Sequence, residues 1–466
     1  MTAGIVHFGV GGFHRAHEAM YVDRLLSQGK AQDWGICGVG LLPNDARMRD
    51  VMREQDCLYS LVLKHPDATR ERRVIGSIVE YLYAPDDVEA VINKLADPAV
   101  RIVSLTVTEG GYNFNPTTGD FDFANPAVAA DLRPGAVPAT MFGIVTEGLV
   151  RRREHGIAPF TVMSCDNIQG NGDIARETFS AFAGRRDSDL GDWVTQNVAF
   201  PNTMVDRITP VTTDEDRAES DEALGLTDAW PVVCEPFEQW VIQDDFPLGR
   251  PDWDRVGAQF VDDVEPYELM KLRLLNSSHQ AMAYFGYLAG YRYAHEAMTD
   301  ERIVTLLQRY MDEEATPSLR LVPGIDLADY KTTLLERFSN QEVRDTLARL
   351  CLESSDRIPK WLIPVVREQL AAGGQVALSA AIVASWARYA EGIDEQDVTI
   401  DVVDNLKGRI MAAAAAQHDD PLSFLLDQTL FGDLATREEF TGPYLRALHS
   451  LHRVGSIGTL DSVLAR

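Results

Sequence analysis

The 466-residue sequence predicts an α/β domain of Rossmann type followed by an all-α domain. Three observations carry this. Apolar, β-rich runs alternate with helical patterns through the first half. A glycine turn stands between the first strand and the first helix. Past the middle, strand patterning nearly ceases and helical segments follow one another. The expected division is residues 1–255 for the α/β domain and residues 256–466 for the helical one.

Ile5 to Val10 (IVHFGV) reads as a short strand. It runs at once into Gly9, Val10, Gly11, Gly12, Phe13, His14 and Arg15, and a helix follows from about Ala16 to Gln28, with Gly29 as its C-cap. Strand, glycine turn and helix is how a dinucleotide-binding βαβ unit begins. Gly9 would permit the tight turn, and Gly11 would let the backbone approach a pyrophosphate resting on the helix N-terminus. The pattern departs from G-x-G-x-x-G, because Gly12 is extra and His14 stands where the third glycine belongs. A tight βα turn with no ligand is the competing reading.

Trp34 to Leu41 (WGICGVGL) is the second strand. Asp45 lies just beyond it, where such folds place an acid on the adenosine ribose. A carboxylate there repels the extra phosphate of NADP and so favours NAD; helix N-capping is the alternative. Arg73 to Tyr83 is strand-like, and a helix runs from Pro85 to about Ala96, with acids in its first turn. Arg101 to Val107 (RIVSLTV) has the character of a buried parallel strand. The turn after it carries Thr108 and Glu109, which should face a cofactor beyond the carboxyl end of the sheet. Pro138 to His155 is a helix and Pro159 to Ser164 a further strand. The polar loop from Cys165 to Gly172 follows, with Asn167 as a pocket candidate; turn chemistry explains it equally. Around Met204 to Pro210 another strand is expected. The acids from Asp214 to Glu222 read as a solvated surface segment. Trp230 to Gln243 reads as further sheet, and Asp244 to Asp254 as the exit from the domain.

The stretch Glu265 to Gln280 (EPYELMKLRLLNSSHQ) reads as a helix at the joint of the two domains. From Leu274 to Tyr291 no formally charged residue occurs, which is long enough to raise a membrane span. The polar Asn276 to Gln280 inside it argue instead for a buried helix. At about 100° per residue, Asn276 lies about 140° around from Lys271 and His279 about 80°. All three could line one concavity. A surface Lys, a capping Asn and a satisfied core His is the competing reading. Helical segments are then expected near Thr299 to Met311, Leu327 to Phe338, Glu342 to Cys351, Pro359 to Ala371, Val376 to Ala390, Asp401 to Ala415, Pro421 to Leu426 and Phe440 to Arg453.

Composition sets the outer bounds. A net charge of -28 speaks against nucleic acid and anionic membrane as partners. The five cysteines are dispersed and lack metal-like pairing, as expected of reduced thiols in a cytoplasmic protein. The N-terminus has no basic region and no long apolar run, so no signal peptide is expected.

Several stretches in one order carry a resemblance: IVHFGVGGFHRAH at Ile5 to His17, TVTEGGY at Thr106 to Tyr112, SCDNIQGNG at Ser164 to Gly172, MVDRITP at Met204 to Pro210, EPFEQWVI at Glu235 to Ile242, and KLRLLNSSHQ at Lys271 to Gln280. With these the chain resembles the polyol-specific long-chain dehydrogenases. The resemblance implies a Rossmann-type domain, a helical second domain, no metal, a monomer, and NAD-linked oxidation of D-mannitol to D-fructose. It places the family's catalytic Lys on Lys271, its oxyanion-binding pair on Asn167 and Asn276, and its substrate-orienting His on His279. Asp206 matches a substrate-site Asp, and Glu268 an acid near the proton exit. Arg349 is the choice for a substrate-contacting Arg, with Arg344 close by. Asp45 matches the family's NAD selector, while Asn44 beside it leaves one acid fewer than in relatives.

Hydride transfer from an alcohol must also remove the hydroxyl proton. An unperturbed Lys titrates near about 10.4, so a Lys271 base requires a lowered pKa. Burial, the nearby Arg273 and the positive nicotinamide would all act in that direction. Sibling enzymes acting on D-arabinitol, D-sorbitol or fructuronate share the same core motif. An NAD-sensing protein without turnover is the reading from another class, but it would have no need of a base beside an oxyanion site.

Overall fold

A computed structural model describes residues 1–114 and 120–465. Its first unit, Met1–Glu265, contains every named strand. In chain order they are β1 (Ala3–Phe8), β2 (Gly35–Gly40), β3 (Tyr59–Lys64), β4 (Arg70–Ile75), β5 (Ile78–Tyr83), β6 (Ile102–Leu105), β7 (Thr161–Ser164), β8 (Thr203–Asp206), β9 (Val232–Cys234), β10 (Gln239–Gln243) and β11 (Gln259–Val261). Five of them form a parallel sheet in the order β5-β2-β1-β6-β7. The chain builds outward from β1 in one direction and then returns to add β6 on the other side. The crevice where the order reverses lies at the carboxyl ends of β1 and β6, the place where open α/β sheets bind ligands.

Strands β1, β2, β6 and β7 are buried on both faces, as a sheet covered by helices on both sides requires, and the edge strand β5 is partly buried. Ile5, Ile36, Ile102 and Met163 pack into one core, and Val6, Phe8, Val103 and Leu105 into the other. This is the period of two that a strand imposes. The helices follow local signals: Asp87 caps Val88–Ala96 by accepting from the Ala90 amide, and Thr140 caps Met141–Glu154 through the Gly143 amide.

Several expectations need correction in this unit. The run from Arg73 to Tyr83 is two strands, not one: β4 ends at Ile75 and β5 starts at Ile78 in a different sheet. Strand β3, which sequence patterning missed, lies between β4 and β9. Trp230 to Gln243 divides likewise, giving β9 to that sheet and β10 to a sheet of order β11-β10-β8. The acids from Asp214 to Glu222 form a helix, Asp214–Leu224, opened by a Thr213/Asp216 capping box. Asp216 is buried against Lys64 rather than solvated. The helix after the glycine turn is two, Gly12–Ala16 and Glu18–Ser27, broken at His17.

The second unit, Pro266–Arg466, is helical. The Ala-rich helix Ala377–Tyr389 packs along Glu438–Leu464, which kinks at Gly455. Leu327–Phe338 forms as expected, whereas Glu342 to Cys351 yields only the short helix Leu347–Leu350. The charge-free run after Leu274 is a buried helix, Ser277–Ala289. Three of its polar groups have partners: Ser277 donates to the Leu272 carbonyl, Gln280 to the Leu350 carbonyl at 2.9 Å, and Tyr284 to Ser354 at 2.6 Å. Among the described residues no helix is long and apolar enough to cross a membrane.

The Lys271 stretch departs from a regular helix. Glu265–Met270 is α-helical, Lys271–Asn276 is a π-helical turn, and the α-helix resumes at Ser277. Single π-turns within α-helices are frequent at functional sites. The amide and hydroxyl of Ser277 both reach back five residues to the Leu272 carbonyl, the hydroxyl at 3.1 Å. The angles expected for a regular α-helix therefore do not apply. A wider turn brings Asn276 round towards the face of Lys271.

Candidate cofactor cavity and catalytic helix

Beyond β1 the chain turns at Gly9, whose φ is +93°. A Cβ there would lie 2.1 Å from the Thr106 carbonyl oxygen, so no other residue fits. Gly11 differs: a Cβ would meet nothing closer than 3.8 Å, and the residue faces open space. That space is a cavity of about 800 Å³ lined by Gly9, Val10, Gly11, Gly12, Phe13, Arg15, Asp45, Thr108 and Trp230, among others. It lies at the crevice where the strand order reverses. A bare backbone cradle opening on a cavity of that size suits a dinucleotide.

Of the residues expected at the cofactor, Gly9, Val10, Gly11, Gly12, Phe13, Arg15, Asp45 and Thr108 line this cavity. The Arg15 guanidinium is already engaged: it donates to the Trp230 carbonyl at 2.5 Å and to the Gly11 carbonyl at 3.3 Å, beneath the Trp230 and Tyr59 rings. Burial brings it down to about 10. Asp45 accepts the Leu41 and Leu42 amides on one carboxylate oxygen, each at 2.8 Å. Local capping and a ribose contact are thus compatible at Asp45, because one oxygen serves the turn. Glu109 is exposed on the short turn Glu109–Tyr112.

His14 lies behind the turn. Its ring stacks on His7 with centroids 3.4 Å apart, and its Nδ1 is 3.2 Å from Glu18 Oε2. His7 Nδ1 lies 3.1 Å from that same oxygen and 2.8 Å from the Ser104 hydroxyl. Burial pushes His14 down to about 4, with His7 adding to the effect. Burial acts to raise the Glu18 carboxyl, yet the two imidazoles outweigh it and hold Glu18 well below the carboxylate range. These three residues are the one group of potential metal ligands found among the described residues. The His7 and His14 rings are stacked, and His7 is bonded to Ser104 and Thr106. The geometry is that of a buried hydrogen-bonded chain, His7–Ser104–Glu18, with the His14 ring stacked on His7 behind the turn. Sequence reading missed it because its members come from a strand and two successive helices.

Asn167 is exposed in the loop after β7. Asp206 ends β8, buried at 4% exposure. Between these elements, the buried carboxylate of Asp166 accepts the Thr108 amide at 2.8 Å, the Val107 amide at 3.1 Å and the Tyr112 hydroxyl at 2.8 Å.

In the second unit Glu268, Lys271, Asn276 and His279 are all buried. The His279 ring packs on Phe338 at 4.5 Å between centroids. The Nδ2 of Asn276 is buried with no hydrogen-bond partner among the described residues. A buried amide donor left in this way calls for an acceptor. Arg273 makes a bidentate pair with Glu368, 2.7 Å at each arm, and also donates to the Ser318 carbonyl. Its charge is compensated there, which removes the ground for expecting it to act on Lys271. Arg349 holds Asp345 in a bidentate pair at 2.6 and 2.5 Å with its side chain half exposed.

A glycine cradle at the switch point of a parallel sheet, with an acid beyond the second strand, defines a dinucleotide-binding dehydrogenase of the Rossmann class. The chain belongs to the mannitol dehydrogenase family: the family's Rossmann domain matches residues 3–255 and its C-terminal domain residues 263–452. It is 47% identical over 461 residues to a mannitol 2-dehydrogenase of Phaeosphaeria nodorum, covering 98% of this chain and 80% of that one. Its structure resembles that of Pseudomonas fluorescens mannitol 2-dehydrogenase in ternary complex with NAD and D-mannitol, with TM-score 0.90 and 44% identity, over 100% of this chain and 95% of the other. It also resembles a D-sorbitol dehydrogenase in substrate-free form, with TM-score 0.92 and 38% identity, over 99% and 95% of the two chains.

Proposed function

We propose that this chain catalyses the reversible oxidation of D-mannitol to D-fructose with NAD and without a resident metal. The broader statement, that it is an NAD-dependent polyol dehydrogenase, follows from its family and its Rossmann domain. The choice of mannitol is supported by the likeness to mannitol 2-dehydrogenases, and the catalytic reading above all by one observation: a buried Asn276 amide without an acceptor among the described residues, one π-turn from Lys271.

The cavity's glycine turn and Asp45 would hold NAD, which when bound accepts the hydride from the alcohol carbon. A neutral Lys271 takes the hydroxyl proton. Asn276 and Asn167 donate hydrogen bonds to the alkoxide oxygen as its charge develops. His279 holds a neighbouring hydroxyl and fixes orientation, with Asp206 and Arg349 as further substrate contacts. Glu268, three residues before Lys271 on the same helical face, receives the proton on its way to solvent. Residues 256–466 thus supply most of the catalytic groups. The acidic chain, with five buried free cysteines, acts as a cytoplasmic monomer that binds neither nucleic acid nor membrane.

The test is NADH formation with D-mannitol, D-arabinitol, D-sorbitol and xylitol, and NADH oxidation with D-fructose and D-fructuronate, with a chelator present throughout. Lys271→Ala should lower kcat/KM at least a thousandfold while NADH still binds. Chelator-sensitive turnover, or a variant of near-parental activity, would refute the route. The likeness to a D-sorbitol dehydrogenase favours one second reading, a sorbitol-preferring enzyme with the same catalytic residues. A higher kcat/KM for D-sorbitol than for D-mannitol would select it.

A further inference from the structure

Thr108 has φ +64° and ψ 171°. This region of backbone space is nearly reserved for glycine, and a β-branched residue there is a clear outlier. Thr108 nonetheless ends the β6 side of the crevice and lines the cofactor cavity. Something must hold it. The Asp166 carboxylate, 7% exposed, grips the Thr108 amide with one oxygen at 2.8 Å. Its other oxygen takes the Val107 amide at 3.1 Å and the Tyr112 hydroxyl at 2.8 Å. The Tyr112 oxygen also lies 2.5 Å from the Ser164 hydroxyl, which ties the assembly back to the end of β7. Three donors converge on one buried acid, and two of them are the successive amides that set the Thr108 peptide.

We propose that Asp166 is a positioning residue for the cofactor: it holds Thr108 in its glycine-like conformation and thereby shapes the rim of the NAD cavity. This rests on NAD occupying that cavity. A carboxylate suits the task because both its oxygens accept, whereas a carboxamide would turn a donor towards one of the two amides. Burial raises the Asp166 carboxyl above the ordinary carboxylate value, Glu109 adds to this, and the three donors offset only part of it.

The experiment is a double-mutant cycle of Asp166→Asn and Thr108→Gly, read by NADH fluorescence titration and by amide hydrogen exchange of residues 106–112. Glycine takes a positive φ freely, so the clamp matters less once Thr108 is replaced. Asp166→Asn should weaken NADH binding about tenfold in the parent. On the Thr108→Gly background the same change should weaken it less than about twofold. Equal losses on both backgrounds would mean that Asp166 supports only the fold, and the proposal fails. If Asp166→Asn alone does not fold, recovery of folding and binding in the double variant supports the clamp, and continued failure to fold overturns it. If the parent itself does not bind NADH, the cofactor reading falls, and exchange still decides the clamp. Slow exchange of the Val107 and Thr108 amides that becomes fast in Asp166→Asn sustains it; fast exchange in the parent refutes it.

Discussion

Asn276 and Asp45 each carry a task that a single substitution can isolate. Asn276 keeps a buried amide whose donor has no acceptor among the described residues. If it binds the developing alkoxide, Asn276→Ala should lower kcat about 100- to 1000-fold with little change in KM, the mark of an interaction made in the transition state. An equal loss spread over KM alone would place Asn276 in ground-state binding. Asp45 has two tasks, and they can be separated. One oxygen accepts the Leu41 and Leu42 amides, and the residue also lines the cavity. Asp45→Ser retains a capping acceptor and removes the charge. It should leave thermal stability nearly unchanged while lowering the preference for NAD over NADP about tenfold, measured as the ratio of kcat/KM values. An unchanged ratio would leave Asp45 as a cap only.

Among the elements, the π-turn Lys271–Asn276 decides how the catalytic groups are displayed. It packs against a second π-turn, Tyr310–Ala315. The Tyr310 hydroxyl donates to the Arg273 carbonyl at 3.2 Å, inside the first turn. A widened turn is an unfavourable helix geometry, so outside bonds to its carbonyls help retain it. Tyr310→Phe leaves that buried carbonyl one donor short, at a cost of about 1 kcal/mol. The unfolding midpoint should fall by about 2–4 °C, and kcat should fall with it if the turn relaxes towards a regular helix. A fall in midpoint with unchanged kcat would show that the turn survives without Tyr310.

The whole molecule should show a pH response that originates in the first unit. Burial pushes His17 down to about 3. The folded state therefore binds fewer protons than the unfolded state between the ordinary value of about 6.5 and about 3, so stability rises with pH across that window. His14, held down to about 4, contributes in the same sense. The buried Glu314 carboxyl, pushed up to about 7 by burial, acts in the opposite sense between about 7 and 4.5, but the two imidazoles together outweigh it, so the thermal midpoint should decline as pH is lowered from about 6.5 towards 4, and calorimetry across that range would show it. His17→Asn should flatten the decline. A midpoint that rises on acidification would contradict the burial of both imidazoles in neutral form.

By itself the sequence determined the succession of an α/β half and a helical half, the glycine turn, the acid beyond the second strand and the segment that holds Lys271, Asn276 and His279. These depend on period, turn chemistry and short spacing, which neighbours along the chain impose on one another. Only the tertiary structure decided which strands share a sheet. Arg73 to Tyr83 reads as one strand-like run, yet β4 and β5 belong to different sheets: β4 pairs with its chain neighbour β3, whereas β5 pairs with the more distant β2. The same holds for the π-turn, for the pairing of Arg273 with Glu368, for the His7–His14–Glu18 cluster and for the clamp of Asp166 on Thr108. Each joins residues through packing and buried hydrogen bonds, whose energy exists only once distant segments have excluded water around them. Local pattern therefore placed the candidate residues, and tertiary packing determined which of them are held, paired or left with a donor to offer.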